Sequence, residues 1–109
     1  MTDQEPHPVV DLDETVHQRV RLGILAVLGE TAECTFTALR SHLEVTDGNL
    51  SRHLQVLVEA GFVDMRKGYQ GSRPCTWLKL TRAGRSALRH ELTALERLVE
   101  RMRKTADSD

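Results

Sequence analysis

The chain has 109 residues, 39% of them hydrophobic and 28% charged, with a formal net charge of -1. That length suits one domain with a thin core, and no apolar run approaches the roughly 20 residues of a membrane helix. The acidic opening MTDQEPHPVVDLDE lacks the cationic and apolar regions of a signal peptide. Membrane, secreted and fibrous classes are therefore disfavoured, and a cytoplasmic location is the expectation.

Residues 1–12 include Pro6 and Pro8, are polar and lack periodicity, which predicts a flexible acidic tail. Asp13 then stands as an N-cap. Val16, Val20, Ile24, Val27 and Leu28 recur at helical spacing up to Gly29, predicting a helix over 14–28. Glu33-Cys34-Thr35 is short and β-compatible. Thr35 or Thr37 caps a short helix with Phe36, Leu39 and Leu43 as its apolar residues, and Glu44-Val45 makes a tight connection. Thr46 caps the next helix, 46–60, whose Leu50, Leu54, Leu57 and Val58 share one face. Asp47 sits in its first turn, where negative charge is favourable, and Gly61 suits a left-handed end.

Phe62–Lys67 alternates like a strand, Gly68–Pro74 reads as a long basic turn, and Cys75–Leu80 is a returning strand around Trp77. Thr81 caps a last helix over 82–104. Its Leu88, Leu92, Leu95, Val99 and Met102 are spaced 4, 3, 4, 3, a heptad-type seam. Such a stripe exceeds what a small domain covers by itself and is read as a dimer interface. Residues 105–109 read as a frayed tail, which leaves 13–104 as the folded domain. The fold class is mainly α with a small β-hairpin: two short helices joined by a tight turn, then a basic hairpin and a long helix, a winged helix-turn-helix.

The near-neutral total hides an asymmetry. Residues 1–14 carry five acidic groups and no Lys or Arg, whereas the stretch from Cys34 to His90 holds nine basic groups against four acidic ones. A basic middle is compatible with an anionic partner. The outer and N-terminal positions of helix 46–60 are Thr46, Gly48, Asn49, Ser51, Arg52 and Gln55. Asn and Gln pair with adenine edges, Arg with guanine, and Ser or Thr with either base or with phosphate; Gly48 permits close approach. An ordinary solvated face would more often carry several Glu and Lys. The wing, 66–74, carries Arg66, Lys67, Tyr69, Gln70, Ser72 and Arg73 at its tip, where Lys and Arg neutralise phosphates. Arg73, held extended by Pro74, is the candidate for a minor groove.

The segments TDGNLSRHLQVLVEAGFV and KGYQGSRPCTWLKLTRAGRSAL resemble the small stand-alone winged-helix DNA-binding regulators related to the MarR and ArsR families. The resemblance spans about residues 12–100. It implies a dimeric transcriptional regulator, most often a repressor, that binds double-stranded DNA. It places helix 46–60 in the major groove and the wing on the minor groove or backbone. Asn49, Ser51, Arg52 and Gln55 inherit base or phosphate contacts, and His53 either touches phosphate or packs inward.

The departures are instructive. Metal sensors of the ArsR type carry paired cysteines on the recognition helix, and this one has none. Cys34 and Cys75 approach each other only if the first strand pairs with the returning wing strand, and two thiols do not complete a tetrahedral metal site. A histidine metal site joining His17 and His90 and a thiol redox switch are lesser alternatives. No metal, cofactor or catalytic residue is assigned, and no phosphate-binding loop, paired carboxylates or nucleophile motif suggests an enzyme. Two further alternatives stand: a winged-helix protein-interaction module that binds no specific DNA, and a sensor of the same fold whose small-molecule effector lies between the dimer helices.

Overall fold

The computed structural model describes residues 5–108. A 3₁₀ turn at Pro8–Asp11 is followed by α1 (Arg19–Gly29), β1 (Cys34–Thr35), α2 (Phe36–Leu43), α3 (Asp47–Glu59), β2 (Val63–Gln70), β3 (Arg73–Leu80) and α4 (Arg82–Asp107). The strands form one antiparallel sheet in the order β1-β3-β2. Cys34 pairs with Leu78 and Val63 with Leu80, so β3 is the central strand. This is the winged helix-turn-helix architecture, with a long C-terminal helix.

The core forms where the helices meet the root of the sheet. Ile24, Leu25 and Leu28 of α1, Leu39 of α2, and Leu50, Leu54 and Leu57 of α3 are fully buried. They close on Val63, Leu78 and Leu80, and Val16 adds a further buried side chain from the segment before α1. Burying such a side chain stabilises the fold by roughly 1.5–3 kcal/mol, so this cluster is the main source of cohesion. At the start of α4, Thr81 accepts the Gly84 amide at 2.9 Å and donates its hydroxyl to the Gly61 carbonyl at 2.7 Å. A Cβ on Gly84 would lie 2.1 Å from the Phe62 carbonyl oxygen. The close seating of α4 therefore depends on glycine at this position.

Four expectations need correction. The first helix begins at Arg19, not Glu14. Asp13 caps only a single turn, its Oδ1 accepting the Thr15 amide at 2.8 Å. The chain then extends at Gln18 (φ -142°, ψ 136°), and the Gln18 side chain becomes the cap by accepting the Val20 and Arg21 amides. Second, residues 8–11 of the expected tail are wound into the 3₁₀ turn and pack on α4; residues 1–4 lie outside the described residues.

Third, the long loop expected at 68–74 is absent. Gly68 pairs with Cys75, Tyr69 with Pro74 and Gln70 with Arg73, leaving Gly71-Ser72 as a two-residue turn. Gly71 has φ +66°, as the first central position of a type II′ hairpin turn requires. Fourth, α4 runs on to Asp107, and its end is closed by the Ser108 hydroxyl donating to the Thr105 carbonyl at 2.8 Å. The molecule measures 63 × 26 × 23 Å. A helix of 26 residues spans about 39 Å, which accounts for much of that length.

Candidate nucleic-acid interface

The helix-turn-helix is built by local side-chain chemistry. Thr35 caps α2 by accepting the Ala38 amide at 3.2 Å, and Thr46 caps α3 by accepting the Asn49 amide at 3.1 Å. Each cap satisfies an amide that the first helical turn leaves without a partner. Between the helices, Glu44 takes a left-handed conformation, φ 53°, which turns the chain within the three residues 44–46. Arg40 of α2 pairs with Asp47 in the first turn of α3, offsetting a negative charge on this surface.

The amphipathic split of α3 sets the exposed face. Leu50, His53, Leu54 and Leu57 are buried. Ser51, Arg52 and Gln55 are exposed, Asn49 is half-buried, and the space above Gly48 is open to 4 Å. Gln55 donates to Glu59 at 3.2 Å along the helix. Among the described residues, Arg52 enters no ion pair or side-chain hydrogen bond, so its guanidinium stays available to a partner.

Two open clefts separate the helices from the wing. One, of about 490 Å³, places Ser51 and Gln55 of α3 opposite Lys67, Met65 and Thr76. The other, of about 760 Å³, places Thr37 and Ser41 of α2 opposite Lys67, Tyr69, Gln70 and Arg73. Gln70, Ser72 and Arg73 are exposed at the hairpin tip. Thr37 and Ser41 are functional candidates that the sequence reading passed over. Their signal was an i, i+4 pair of hydroxyls on the polar side of a short helix.

The structure redistributes several expected residues. His53 faces inward and is only 7% exposed. Its Nδ1 lies 3.1 Å from Arg21 Nη1. Because a guanidinium only donates, Nδ1 is the acceptor of this contact; burial first, then the charges of Arg21 and Arg52, pull the His53 pKa below the ordinary imidazole value. Of the two alternatives for His53, packing is the one observed. Arg66 lies at the middle of the hairpin rather than its tip. Its guanidinium stacks 4.3 Å from the Trp77 ring centroid and lies 3.3 Å from a Glu33 carboxylate oxygen. Part of its charge is thus already matched within the chain.

Leu88 leaves the expected seam and packs on the chain's own core, its Cδ2 lying 3.3 Å from where a Gly29 Cβ would be. Leu92, Val99 and Met102 are exposed and Leu95 is half-buried. The cysteines are separate. Cys34 stands across from Leu78, three positions along β3 from Cys75. That is roughly 10 Å, beyond disulfide reach. Burial raises the Cys34 thiol pKa. His17 contacts Glu91, while His90 lines a pocket with Arg89 and Arg97.

No helix among the described residues is long and apolar enough to cross a membrane. A family model described as "Winged helix DNA-binding domain" matches residues 20–99. An uncharacterized protein of Methanocaldococcus jannaschii is 39% identical over 84 residues, covering 74% of this chain and 91% of that protein. A transcriptional regulator homologue from Pyrococcus horikoshii is similar in structure, with TM-score 0.76 and 28% identity, over 83% of this chain and 89% of that one. A MarR family transcriptional regulator from Streptomyces coelicolor, solved in complex with DNA, shares the fold at TM-score 0.64 and 20% identity, over 92% of this chain and 73% of that one.

Proposed function

Because the chain belongs to the winged helix DNA-binding domain family, we propose that it is a homodimeric, sequence-specific transcriptional regulator, a repressor that reads a palindromic operator. The family and the fold are those of a DNA-binding regulator rather than an enzyme. The observation that carries the finer reading is the composition of the outward face of α3. With its apolar groups turned in, the helix offers Ser51, Arg52 and Gln55, with Asn49 half-buried beside them. Lys67 stands across one cleft from it, and Arg73 lines the neighbouring cleft against α2. Side chains of these types form hydrogen bonds with base edges in a major groove, and the flanking cations neutralise phosphates. The Streptomyces coelicolor neighbour, solved with DNA, supports a duplex as the partner.

Dimerisation rests on α4. Leu92, Val99 and Met102 are 56%, 45% and 60% exposed on one stripe of a single helix, with Leu95 between them. Pairing such stripes about a two-fold axis would present two copies of α3 to one face of a duplex. Half-sites would then lie about 34–36 Å apart, one helical turn.

The decisive experiment selects bound duplexes from a random DNA pool, at low and near-physiological salt. The expected result is a palindromic motif that survives the higher salt. Loss of all enrichment as salt rises would mean purely electrostatic retention and would overturn the reading in favour of an interaction module.

A further inference from the structure

The most densely bonded polar groups outside the α3 and wing surface lie behind it. Glu91, on α4, is completely buried. Buried carboxylates are rare unless their oxygens are matched. Both are: Oε1 accepts the Asp13 amide at 2.9 Å, and Oε2 lies 2.6 Å from His17 Nδ1. Arg21, on α1, grips the same segment from the other side. Its Nε donates to the Thr15 carbonyl at 2.7 Å and one Nη to the Glu14 carbonyl at 3.3 Å. Its remaining Nη meets His53 of α3. Val16, fully buried, pins the segment between these two holds.

Residues 13–17 thus form a strap held from two sides. Glu91 of α4, one residue before Leu92 at the start of the exposed apolar stripe, holds it at Asp13 and His17. Arg21 holds it at Glu14 and Thr15 and joins it to His53, one residue after Arg52 on the outward face of α3. A guanidinium is suited to this task because its planar fork donates in several fixed directions at once.

We propose that Glu91, Arg21 and His53 are positioning residues that set the orientation of α3 against α4 through the strap at 13–17. Pairing of two α4 helices then determines how the two α3 faces meet the duplex. The inference rests on the DNA-reading function proposed above. None of the three residues need touch DNA. Their loss is expected to degrade discrimination between sequences more than attraction to phosphate, because base readout tolerates little misplacement whereas charge neutralisation tolerates much.

The test uses the full chain as wild type, Glu91→Gln, Arg21→Lys, His53→Gln and His53→Leu. Glu91→Gln keeps the volume and an acceptor for the Asp13 amide. Arg21→Lys keeps the charge and removes the fork. Affinities are measured for the selected duplex and a scrambled one. Glu91→Gln, Arg21→Lys and His53→Leu are each expected to lower the selected-to-scrambled ratio about 10-fold, with scrambled binding at low salt within about two-fold of wild type. His53→Gln, which can still accept from Arg21, is expected to retain the ratio. A merely structural role predicts lower melting temperatures with an unchanged ratio, and that result overturns the proposal.

Amide hydrogen exchange supplies a readout without DNA. Faster exchange across Leu50–Leu57 in Glu91→Gln or Arg21→Lys supports the strap, and unchanged exchange there in both overturns it. If one variant fails to fold, the other decides. If the wild type selects no sequence, the DNA reading falls while the exchange result still judges the strap.

Discussion

Helices α3 and α4 are both amphipathic, and they are completed in opposite ways. Helix α3 turns Leu50, Leu54, Leu57 and even His53 inward and leaves Ser51, Arg52 and Gln55 outside. Its own chain satisfies its apolar needs, so its free face suits a polar partner. Helix α4 is finished by its own chain only on one face of its first half, where Gly84, Leu88, Glu91 and Ala94 lie against the rest of the fold. Its other face carries Leu92, Val99 and Met102 into solvent. The polarity of an exposed face thus indicates the class of partner: hydrogen-bonding groups and cations for an anionic duplex, an aliphatic stripe for another such stripe.

The largest expected effect tests the packed face of α4. Gly84→Ala puts a methyl group against the Phe62 carbonyl oxygen and 2.7 Å from Leu80 Cδ1. Chemical denaturation should show a loss of about 3 kcal/mol, since neither backbone nor core can yield cheaply. A loss below about 1 kcal/mol would mean that the start of α4 is not seated as described. Next, Leu92→Arg or Val99→Arg tests the unfinished face. The expected outcome is a folded monomer by sedimentation, because each charge would be buried unpaired in the apolar seam of a dimer. A variant that still sediments as a dimer would place the interface elsewhere.

The polar face of α3 is tested by Arg52→Ala, expected to weaken the selected duplex by about 1–3 kcal/mol in a binding titration without lowering the melting temperature. Equal weakening on a scrambled duplex would reassign Arg52 to phosphate. Arg73→Ala supplies the contrast, with uniform weakening and a salt slope reduced by about one. The smallest effect concerns the inner face. Because the pKa of His53 is lowered by burial, then by Arg21 and Arg52, the unfolded chain binds a proton that the native chain resists. Its stabilising contribution is present above about pH 6.5 and is lost as pH falls below that value toward its native pKa. Melting curves between about pH 7 and pH 5 should decline less steeply in His53→Gln than in the wild type.

Much of this was legible from local pattern. Thr35, Thr46 and Thr81 are caps, Gly61 takes the expected positive φ of 81°, and the apolar face of α3 follows its 3.6-residue period. The wing was legible as a hairpin, but its length was not. Glycine, serine and proline were read as loop residues, whereas cross-strand pairing carries Gly68 and Tyr69 into β2 and Pro74 into β3.

What the sequence determined by itself lies within a turn or two of the chain: which segments are helices, where they are capped, and which side of α3 is polar. Caps and amphipathic periods act between residues a few positions apart, so their signals survive in one dimension. Tertiary structure alone decided which polar residues are spent inside the protein. His53 is drawn inward by Arg21, 32 residues away, and Glu91 is matched by His17, 74 residues away. Arg66 is taken up by Trp77 and Glu33, and Leu88 by the chain's own core. A polar group is buried only where a partner meets it, and that partner is brought to it by the packing of the whole chain.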